Sequence, residues 1–393
     1  METTPHTPEL IDLTVLMPCL NEADTIRACV ESASRALKQL DLQSEIVVAD
    51  NGSTDGSPAI AQQAGARVIQ VQGKGYGLAL MGGIAASRGR WIIMGDADSS
   101  YDFSEIPRFV AKLREGFDLV QGCRLPVGQG TLMPGAMPLL HRVLGNPLFS
   151  WLARRWFGVP VHDIYCGLRG FKRDLYHSLG QRCTGMEFAT EMIIKSAMVG
   201  AKVTEVPITL HPDGRIAHAR HLRTFRDGWR TLRFFLMYSP RWLFLIPGAS
   251  LVLLGLVGYA LAMPGIKIFG ATLDAHTLLF ASLFILMGYQ AIIFAIFTAT
   301  FAIAEGLIPA DARMMRFYDI VNLERGVLAG VVMFIIGIVL LLVAINQWRV
   351  HAFGNLDYAQ TMRWVIPGAT LSALGFQTIL SSFFASILGL RRK

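Results

Sequence analysis

Four long stretches without a single Asp, Glu, Lys or Arg, at 242–263, 276–304, 326–348 and 365–390, constrain this chain more than any other feature. A bilayer core takes roughly 20 apolar residues per helix. Its lack of water obliges each spanning segment to satisfy its own backbone, so four transmembrane helices are expected. Ion and proton pathways leave ionisable side chains inside the membrane; their absence here argues against a coupled transporter. The loops set an orientation. Arg215, Arg220, Arg223, Arg226, Arg230, Arg233 and Arg241 precede the first span, Arg313, Arg316 and Arg325 lie between the second and third, and the tail ends Arg391-Arg392-Lys393. The other two connections hold only Lys267, then Arg349 and Arg363. Both termini are therefore expected on the cytoplasmic side, and 307–323, which mixes aromatic and Met residues with charge, along the interface.

Up to about residue 238 the composition is that of a soluble protein, so the domains are expected at 1–238 and 239–393. The first dozen residues contain no apolar run of the kind a signal peptide needs. Five cysteines (19, 29, 123, 166, 183) form no CxxC or metal spacing and read as reduced, partly buried thiols. The net charge of +7 gathers where the soluble part meets the spans. That placement favours anionic lipid or phosphate as the partner and not nucleic acid.

Short β-rich runs alternate with helical periodicity in the soluble half. Strands are expected at 13–17, 45–49, 67–71 and 90–94, with a fifth ending at 121–124, and a helix from Glu22, capped by Asn21, carries Ile26, Val30, Ala33, Leu37 and Leu40 on one face. Such alternation implies a mostly parallel sheet covered on both faces, whose ligands bind beyond the carboxyl ends of the strands. The polar clusters fall there: Pro18–Glu22, Asp50–Gly56, Gly73–Gly77 and Asp96-Ala-Asp98.

Asp96 and Asp98, flanking one small residue, repel unless a cation neutralises them, and hard oxygen ligands suit Mg²⁺ or Mn²⁺. Such an ion holds a diphosphate and stabilises it as it leaves. The bland alternative is a solvated Asp pair capping the helix near Ser104. Asp50, followed by Asn51-Gly52-Ser53, can accept from a base N–H or simply shape a turn. Lys74, between glycines, and the following helix N-terminus can meet a phosphate; Arg124 at the fifth strand's end can clamp one. Residues 133–160 mix Leu139, Leu140, Leu144, Leu148, Trp151 and Trp156 with Arg142, Arg154 and Arg155, too charged to span a membrane. They read as amphipathic helices at the interface, with core helices the alternative. Glu187 and Glu191, one helical turn apart, fit acid–base work or capping equally well, and Asp163 opens a further loop candidate ending at Arg169.

Taken together, these residues resemble the polyprenyl-phosphate glycosyltransferases of glycosyltransferase family 2, the dolichol-phosphate mannose synthase type. The resemblance covers about 14–236 and lies in the order of motifs: P-x-L-N-E at 18–22, D-x-G-S-x-D-G at 50–56, G-K-G at 73–75, D-A-D at 96–98, G-C-R at 122–124, D-x-x-C-G-L-R at 163–169, F-x-x-E at 188–191 and E-V-P-I at 205–208. It implies a GT-A, Rossmann-like α/β catalytic domain followed by an α-helical membrane domain with four transmembrane helices. By the same resemblance Pro18, Leu20, Glu22 and Asp50 contact the nucleotide, and Asp96 and Asp98 the diphosphate and metal. Where the family often has Gln two residues after the second Asp, this chain has Ser100, which takes the place of the third metal ligand beside Asp96 and Asp98. The acceptor-phosphate residues map onto Arg142 and Asn146, and a juxtamembrane basic pair onto Arg215 and Arg220.

The implied reaction moves a sugar from a nucleotide-sugar donor, of UDP-glucose or GDP-mannose type, to a polyprenyl phosphate with inversion. UDP-glucose is preferred because Asn51 carries no guanine-specific group. The acceptor is largely dianionic at neutral pH, so no general base is required. Asp98 with its metal and Arg124 would stabilise the leaving diphosphate. A processive membrane polysaccharide synthase is the nearest alternative, but no Q-x-x-R-W precedes the spans. A non-catalytic scaffold or lipid-linked sugar flippase would have no use for Asp96 and Asp98. The sequence leaves homo-oligomer formation open.

Overall fold

A computed structural model describes residues 11–215, 224–268, 271–306, 308 and 322–389. The chain divides into two compact units, Met1–Phe235 and Leu236–Lys393.

The first unit is built on a seven-stranded sheet. Its strands are β1 (Leu13–Cys19), β2 (Ser44–Asp50), β3 (Arg67–Gln70), β4 (Trp91–Met94), β5 (Leu119–Cys123), β7 (Arg169–Lys172) and β8 (Val203–Pro207), in the order β3-β2-β1-β4-β7-β5-β8. All neighbours are parallel except β7, which runs antiparallel between β4 and β5. A two-stranded ribbon, β6 (Thr131–Leu132) with β9 (Thr209–Leu210), lies beside it. Central β1 reads Leu-Thr-Val-Leu-Met-Pro-Cys and is buried almost throughout, as a strand covered on both faces must be. Its one mid-strand polar side chain, Thr14, donates to Glu45 Oε1 (2.9 Å) and accepts from the Gly89 N–H (3.0 Å), so nothing polar is left unsatisfied there.

Period-two alternation sorts the strands between two helical layers. Val15, Met17, Val48 and Ile93 join one buried cluster with Ile26, Val30 and Ala33 of α1 (Ile26–Leu37) and with Phe109, Val110 and Leu113 of α4 (Ile106–Arg114). On the other face α3 (Tyr76–Ala86) packs on β1 and β2, while α2 (Ser57–Gln63) flanks α1. Helices α5 (Asn146–Phe157), α6 (Arg173–Leu179), α7 (Glu187–Met198) and α8 (Thr224–Tyr238) follow along the chain. Burying a large apolar side chain in such a layer contributes roughly 1.5–3 kcal/mol.

The first helix begins at Ile26 and not at Glu22 and ends at Leu37, before Leu40, and its expected cap fails too. Asn21 does not cap α1; the cap position falls at Thr25, and Asn21 takes a left-handed conformation (φ 59°) with its Oδ1 accepting the Thr54 N–H at 2.8 Å. A partner 33 residues away outcompetes the local one, because the loop after β2 needs an acceptor at that point.

In the second unit, α9 (Ile246–Ala262, continued back to Arg241 by a π turn), α10 (Ala275–Ala304), α11 (Leu323–Val350) and α12 (Tyr358–Gly389) are long and apolar enough to cross a membrane. Two of them start earlier than their uncharged runs. Helix α12 takes in Arg363, whose charge faces Asp274 at 3.6 Å. Helix α11 takes in Glu324 and Arg325 behind an N-cap supplied by Asn322, whose Oδ1 accepts the Arg325 N–H. Hydroxyls join the helices: Tyr259 Oη lies 2.6 Å from Ser282 Oγ and 3.3 Å from Thr370 Oγ1, and Tyr289 Oη 2.5 Å from Thr378 Oγ1. Such bonds hold helices together where lipid offers no hydrophobic drive. The expected interfacial segment 307–323 lies largely outside the described residues, as do Arg220, Arg223 and the basic tail.

Candidate active site

The loops that follow β1, β2 and β4 meet at one edge of the sheet, and hydrogen bonds between them leave little freedom. Thr25 Oγ1 donates to the Ala97 carbonyl at 2.7 Å, tying the loop after β1 to the Asp-Ala-Asp turn. The Glu22 N–H donates to Ser57 Oγ (2.8 Å) and the Asn21 N–H to Ser53 Oγ (2.9 Å), tying it to the loop after β2. Ser99, like Asn21, is a non-glycine residue at positive φ (62°). Backbone strain of this kind persists where surrounding contacts over-determine it.

Asp96 and Asp98 both belong to this edge. Asp96 Oδ1 accepts the Tyr76 hydroxyl at 2.9 Å. Burial, and then the neighbouring Asp98 carboxylate, push Asp96 up to about 7. Asp98 Oδ1 accepts both the N–H (3.0 Å) and the hydroxyl (2.6 Å) of Ser100. Its Oδ2 lies 3.4 Å from Arg215 Nη2, while the same guanidinium grips Glu22 at both oxygens (2.9 and 2.8 Å). Burial raises Glu22 even so, with Arg215 pulling the other way. Asp96, Asp98 and Glu22 thus crowd an edge where Arg215 meets Glu22 and Asp98 directly and both Arg215 and Arg124 act on Asp96. Among the described residues no group of three His, Cys, Asp or Glu side chains is arranged to hold a metal ion. Two carboxylates that repel one another, one of them driven towards its protonated form, are nevertheless the donor set that Mg²⁺ takes when substrate phosphates and water complete its shell.

Glycine is required twice here. Gly75 has φ 152°, and a Cβ on it would lie 2.6 Å from the Thr184 carbonyl oxygen. A Cβ on Gly167 would lie 2.8 Å from Asp96 Oδ2 and 3.1 Å from the Tyr101 hydroxyl.

Several expected site residues have other partners. Asp50, 1% exposed, accepts from the Gly52 and Ser53 N–H groups (3.2 Å each), so its carboxylate shapes its own loop. Asn51 donates to the Gly73 carbonyl (2.6 Å) and accepts the Gly75 N–H (2.8 Å), stapling the Gly-Lys-Gly loop. Its amide is spent on backbone, which removes the argument that its identity reports on the donor base. Arg124 does not project as a free clamp. It is buried, its Nε and Nη2 paired with Asp163 at 2.7 and 2.9 Å, and the Asp163 carboxylate holds it well above the usual guanidinium range against the opposing effect of burial. Asn146, at the start of α5, is buried and donates to Met137 Sδ at 3.5 Å, whereas Arg142 in the preceding turn is exposed. Arg215 stands at Glu22 and Asp98. Leu20 and Lys74 are exposed beside the edge, and Pro18 is half-buried. Glu191 is structural: fully buried, it pairs with Lys195 (2.8 Å) and accepts the Arg182 and Cys183 N–H groups. Four cysteines are buried and Cys183 partly so, all free.

Sequence reasoning passed over Tyr76 and Tyr101. The Tyr101 hydroxyl accepts the Gly167 N–H (2.7 Å) and lies 3.5 Å from Arg124 Nη1, joining the Asp-Ala-Asp turn to the Arg124–Asp163 pair. Their signal was position: Tyr76 lies inside the Gly73–Gly77 cluster and Tyr101 three residues beyond Asp98. Beyond Arg124, a cavity of about 210 Å³ is lined by Arg142, Arg154 and His162 together with Leu125, Pro126 and Val127. A larger hollow of about 580 Å³, lined by Ile11, Lys38, Glu45, Arg67 and Arg88, opens at the opposite ends of the strands and contains none of these residues.

Comparison with known proteins places the chain. Residues 14–180 match the family model described as glycosyl transferase family 2, and 296–389 that of the glycosyltransferase family 2 C-terminal transmembrane region. The low-salt glycan biosynthesis hexosyltransferase Agl6 of Haloferax volcanii is 36% identical over 379 residues, 96% of this chain and 89% of that protein. A dolichyl-phosphate hexose transferase of the same organism is 35% identical over 50% of this chain and 82% of its own length. An undecaprenyl-phosphate 4-deoxy-4-formamido-L-arabinose transferase of Pseudomonas syringae is 29% identical over 71% and 82%. A solved structure, glucosyl-3-phosphoglycerate synthase from Mycobacterium tuberculosis with Mn²⁺ and UDP, aligns at a TM-score of 0.44 and 23% identity over 58% of this chain and 78% of that one. The four apolar helices and the transmembrane-region match make this an integral membrane protein, and the chain belongs to the family 2 glycosyltransferases.

Proposed function

We propose that the protein transfers a hexose from a nucleoside-diphosphate sugar to a polyprenyl phosphate, with inversion at the anomeric carbon. The observation that carries this reading is the pairing of the Asp96–Asp98 edge with the cationic, partly apolar cavity at Arg142. One feature fits the diphosphate of a donor, the other a phosphate on an apolar chain. The names of the relatives point the same way: two of them act on dolichyl or undecaprenyl phosphate.

In this reading Pro18 and Leu20 frame the nucleotide, Asp50 and Glu22 set the shape of its cleft, and Lys74 meets a phosphate. Asp96 and Asp98 would hold Mg²⁺ or Mn²⁺, with the Ser100 hydroxyl orienting Asp98; when bound, the ion supplies positive charge to the departing diphosphate. Arg215, standing at Glu22 and Asp98, is assigned to the donor side of the site. Arg142 receives the acceptor phosphate. Arg124 acts through position, its guanidinium locked on Asp163 so that the loop at 163–167 lies against the Asp-Ala-Asp turn. An acceptor phosphate oxygen forms the new bond to the anomeric carbon as the bond to the nucleoside diphosphate breaks on the opposite face. No general base is called for, because the second proton of a phosphate monoester leaves near pH 6. The work of the protein is positioning and electrostatic stabilisation.

Around α5 the side chains of Leu139, Leu140, Val143, Leu144, Leu148 and Trp151 are exposed, beside Arg142, Arg154 and Arg155. An apolar surface of this size with basic neighbours fits an interfacial element resting on a bilayer. With the loop charges, it supports a soluble unit and termini on the cytoplasmic side, in a bacterial cell the inner membrane. The test is a donor screen on the purified full chain in detergent, with undecaprenyl phosphate, Mg²⁺ or Mn²⁺, and labelled UDP-glucose or GDP-mannose. A lipid-soluble product is expected with one donor, lost with EDTA and in Asp98→Asn. Full transfer by folded Asp98→Asn would remove the metal assignment; no lipid product from any nucleotide hexose would remove the function.

A further inference from the structure

Glu205, the acid of the Glu-Val-Pro-Ile run, has no part in the transfer described above, yet it is fully engaged. Its Oε1 accepts the backbone N–H of His162 (2.5 Å) and of Asp163 (3.2 Å), and its Oε2 lies 2.7 Å from His162 Nδ1. A carboxylate only accepts, so the Nδ1 proton sits on the ring and faces Glu205. Nε2 is then the ring nitrogen left for another partner. His162 is 40% exposed at its side chain, and what it lines is the 210 Å³ cavity shared with Arg142 and Arg154.

The cavity has two chemistries. Arg142 and Arg154 bring two permanent positive charges into a small space, which calls for an anion carrying more than one charge. Leu125, Pro126 and Val127 offer that anion no hydrogen-bonding side chain, but they do offer apolar surface to whatever is attached to it. A phosphate monoester on a hydrocarbon chain satisfies both.

We propose that His162, oriented by Glu205, is a third phosphate-binding group of the acceptor site, its Nε2 directed to the phosphate monoester while Leu125, Pro126 and Val127 cover the first carbons of the lipid. This rests on the reading that Arg142 holds the acceptor. Glu205 is a positioning residue. The same carboxylate that aims the imidazole also fixes the Asp163 backbone, and Asp163 holds Arg124, so one side chain ties the acceptor cavity to the sheet edge.

The experiment is equilibrium binding of farnesyl phosphate to the purified full chain in detergent, which needs neither donor nor metal. His162→Asn keeps a donor to Glu205 and removes Nε2; it is expected to weaken binding about tenfold, the scale of one charge-assisted hydrogen bond. Arg142→Ala is expected to weaken it more. Glu205→Gln should weaken binding in the wild type and have little further effect in His162→Asn, a coupling that general destabilisation would not produce. His162→Ala serves as the second variant and should match His162→Asn. If Arg142→Ala weakens binding and neither His162 variant does, this inference is overturned and the acceptor site stands. If Arg142→Ala also leaves binding unchanged, the acceptor reading itself has failed. Inorganic phosphate as competitor separates the two sources of the ligand: weak competition is expected, and competition as strong as that of farnesyl phosphate would refute the lipid assignment.

Discussion

Removing Asp163 is the most searching test of the packing behind the site. Its side chain is fully buried and accepts three hydrogen bonds from Arg124: from the backbone N–H at 3.1 Å, Nε at 2.7 Å and Nη2 at 2.9 Å. Asp163→Ala leaves the Arg124 guanidinium, itself only 10% exposed, with a hydroxyl 3.5 Å away and without its paired carboxylate. Breaking a buried pair from one side costs about 3–5 kcal/mol. For a domain of this size each kcal/mol moves the thermal midpoint by roughly 2–4 °C, so the α/β unit should unfold about 6–20 °C earlier. Intrinsic tryptophan fluorescence of the full chain in detergent reads this out. The cause is an orphaned charge and not the lost bonds alone, so Arg124→Met with Asp163→Leu together should recover much of the loss. A midpoint for Asp163→Ala within about 2 °C of wild type would refute the reasoning, as would a double variant that falls as far as the single.

Three further outcomes are expected. Burial alone would raise Glu191, but Lys195 and the Arg182 and Cys183 N–H groups hold it below its ordinary 4.5. Its contribution is therefore present above about 4.5 and lost as pH falls further; the midpoint difference between wild type and Glu191→Gln should be largest at neutral pH and shrink in acid, and a pH-independent difference would contradict this. Gly167→Ala drives a methyl to 2.8 Å from Asp96 Oδ2; transfer should fall at least about tenfold with a stability change of only about 1–3 kcal/mol, and unchanged activity would show that Asp96 need not stay where it is. Asn51→Ala frees the Gly73 carbonyl and the Gly75 N–H; the KM for donor should rise while that for acceptor holds, with a cost of about 1–3 kcal/mol in stability, whereas a rise confined to the acceptor would place that loop elsewhere in the reaction.

Much of the architecture was legible because it depends on short-range pattern. The central strands are runs of apolar residues, and the polar clusters follow them immediately, so their gathering at one sheet edge follows from strand direction alone. The spans were legible for the same reason, except at their starts, where Arg363 and Glu324 lie inside helices whose beginnings a count of charges places too late. Antiparallel β7 was not legible: Arg-Gly-Phe-Lys is too short to announce a strand, and its place between β4 and β5 is set by pairing on both sides.

The sequence by itself determined which chemical groups stand at the ends of the strands and that four helices are apolar enough for a bilayer. Only the tertiary structure decided whom each group faces. Arg124 turned from a phosphate clamp into the partner of Asp163, Asn51 from a neighbour of the base into a staple, and Asn21 from a helix cap into a loop anchor. The partners lie between 22 and 39 residues away in the chain. A buried charge or amide must find a partner wherever the fold brings one within about 3 Å, and that proximity is a property of the packed chain and not of any local stretch of it.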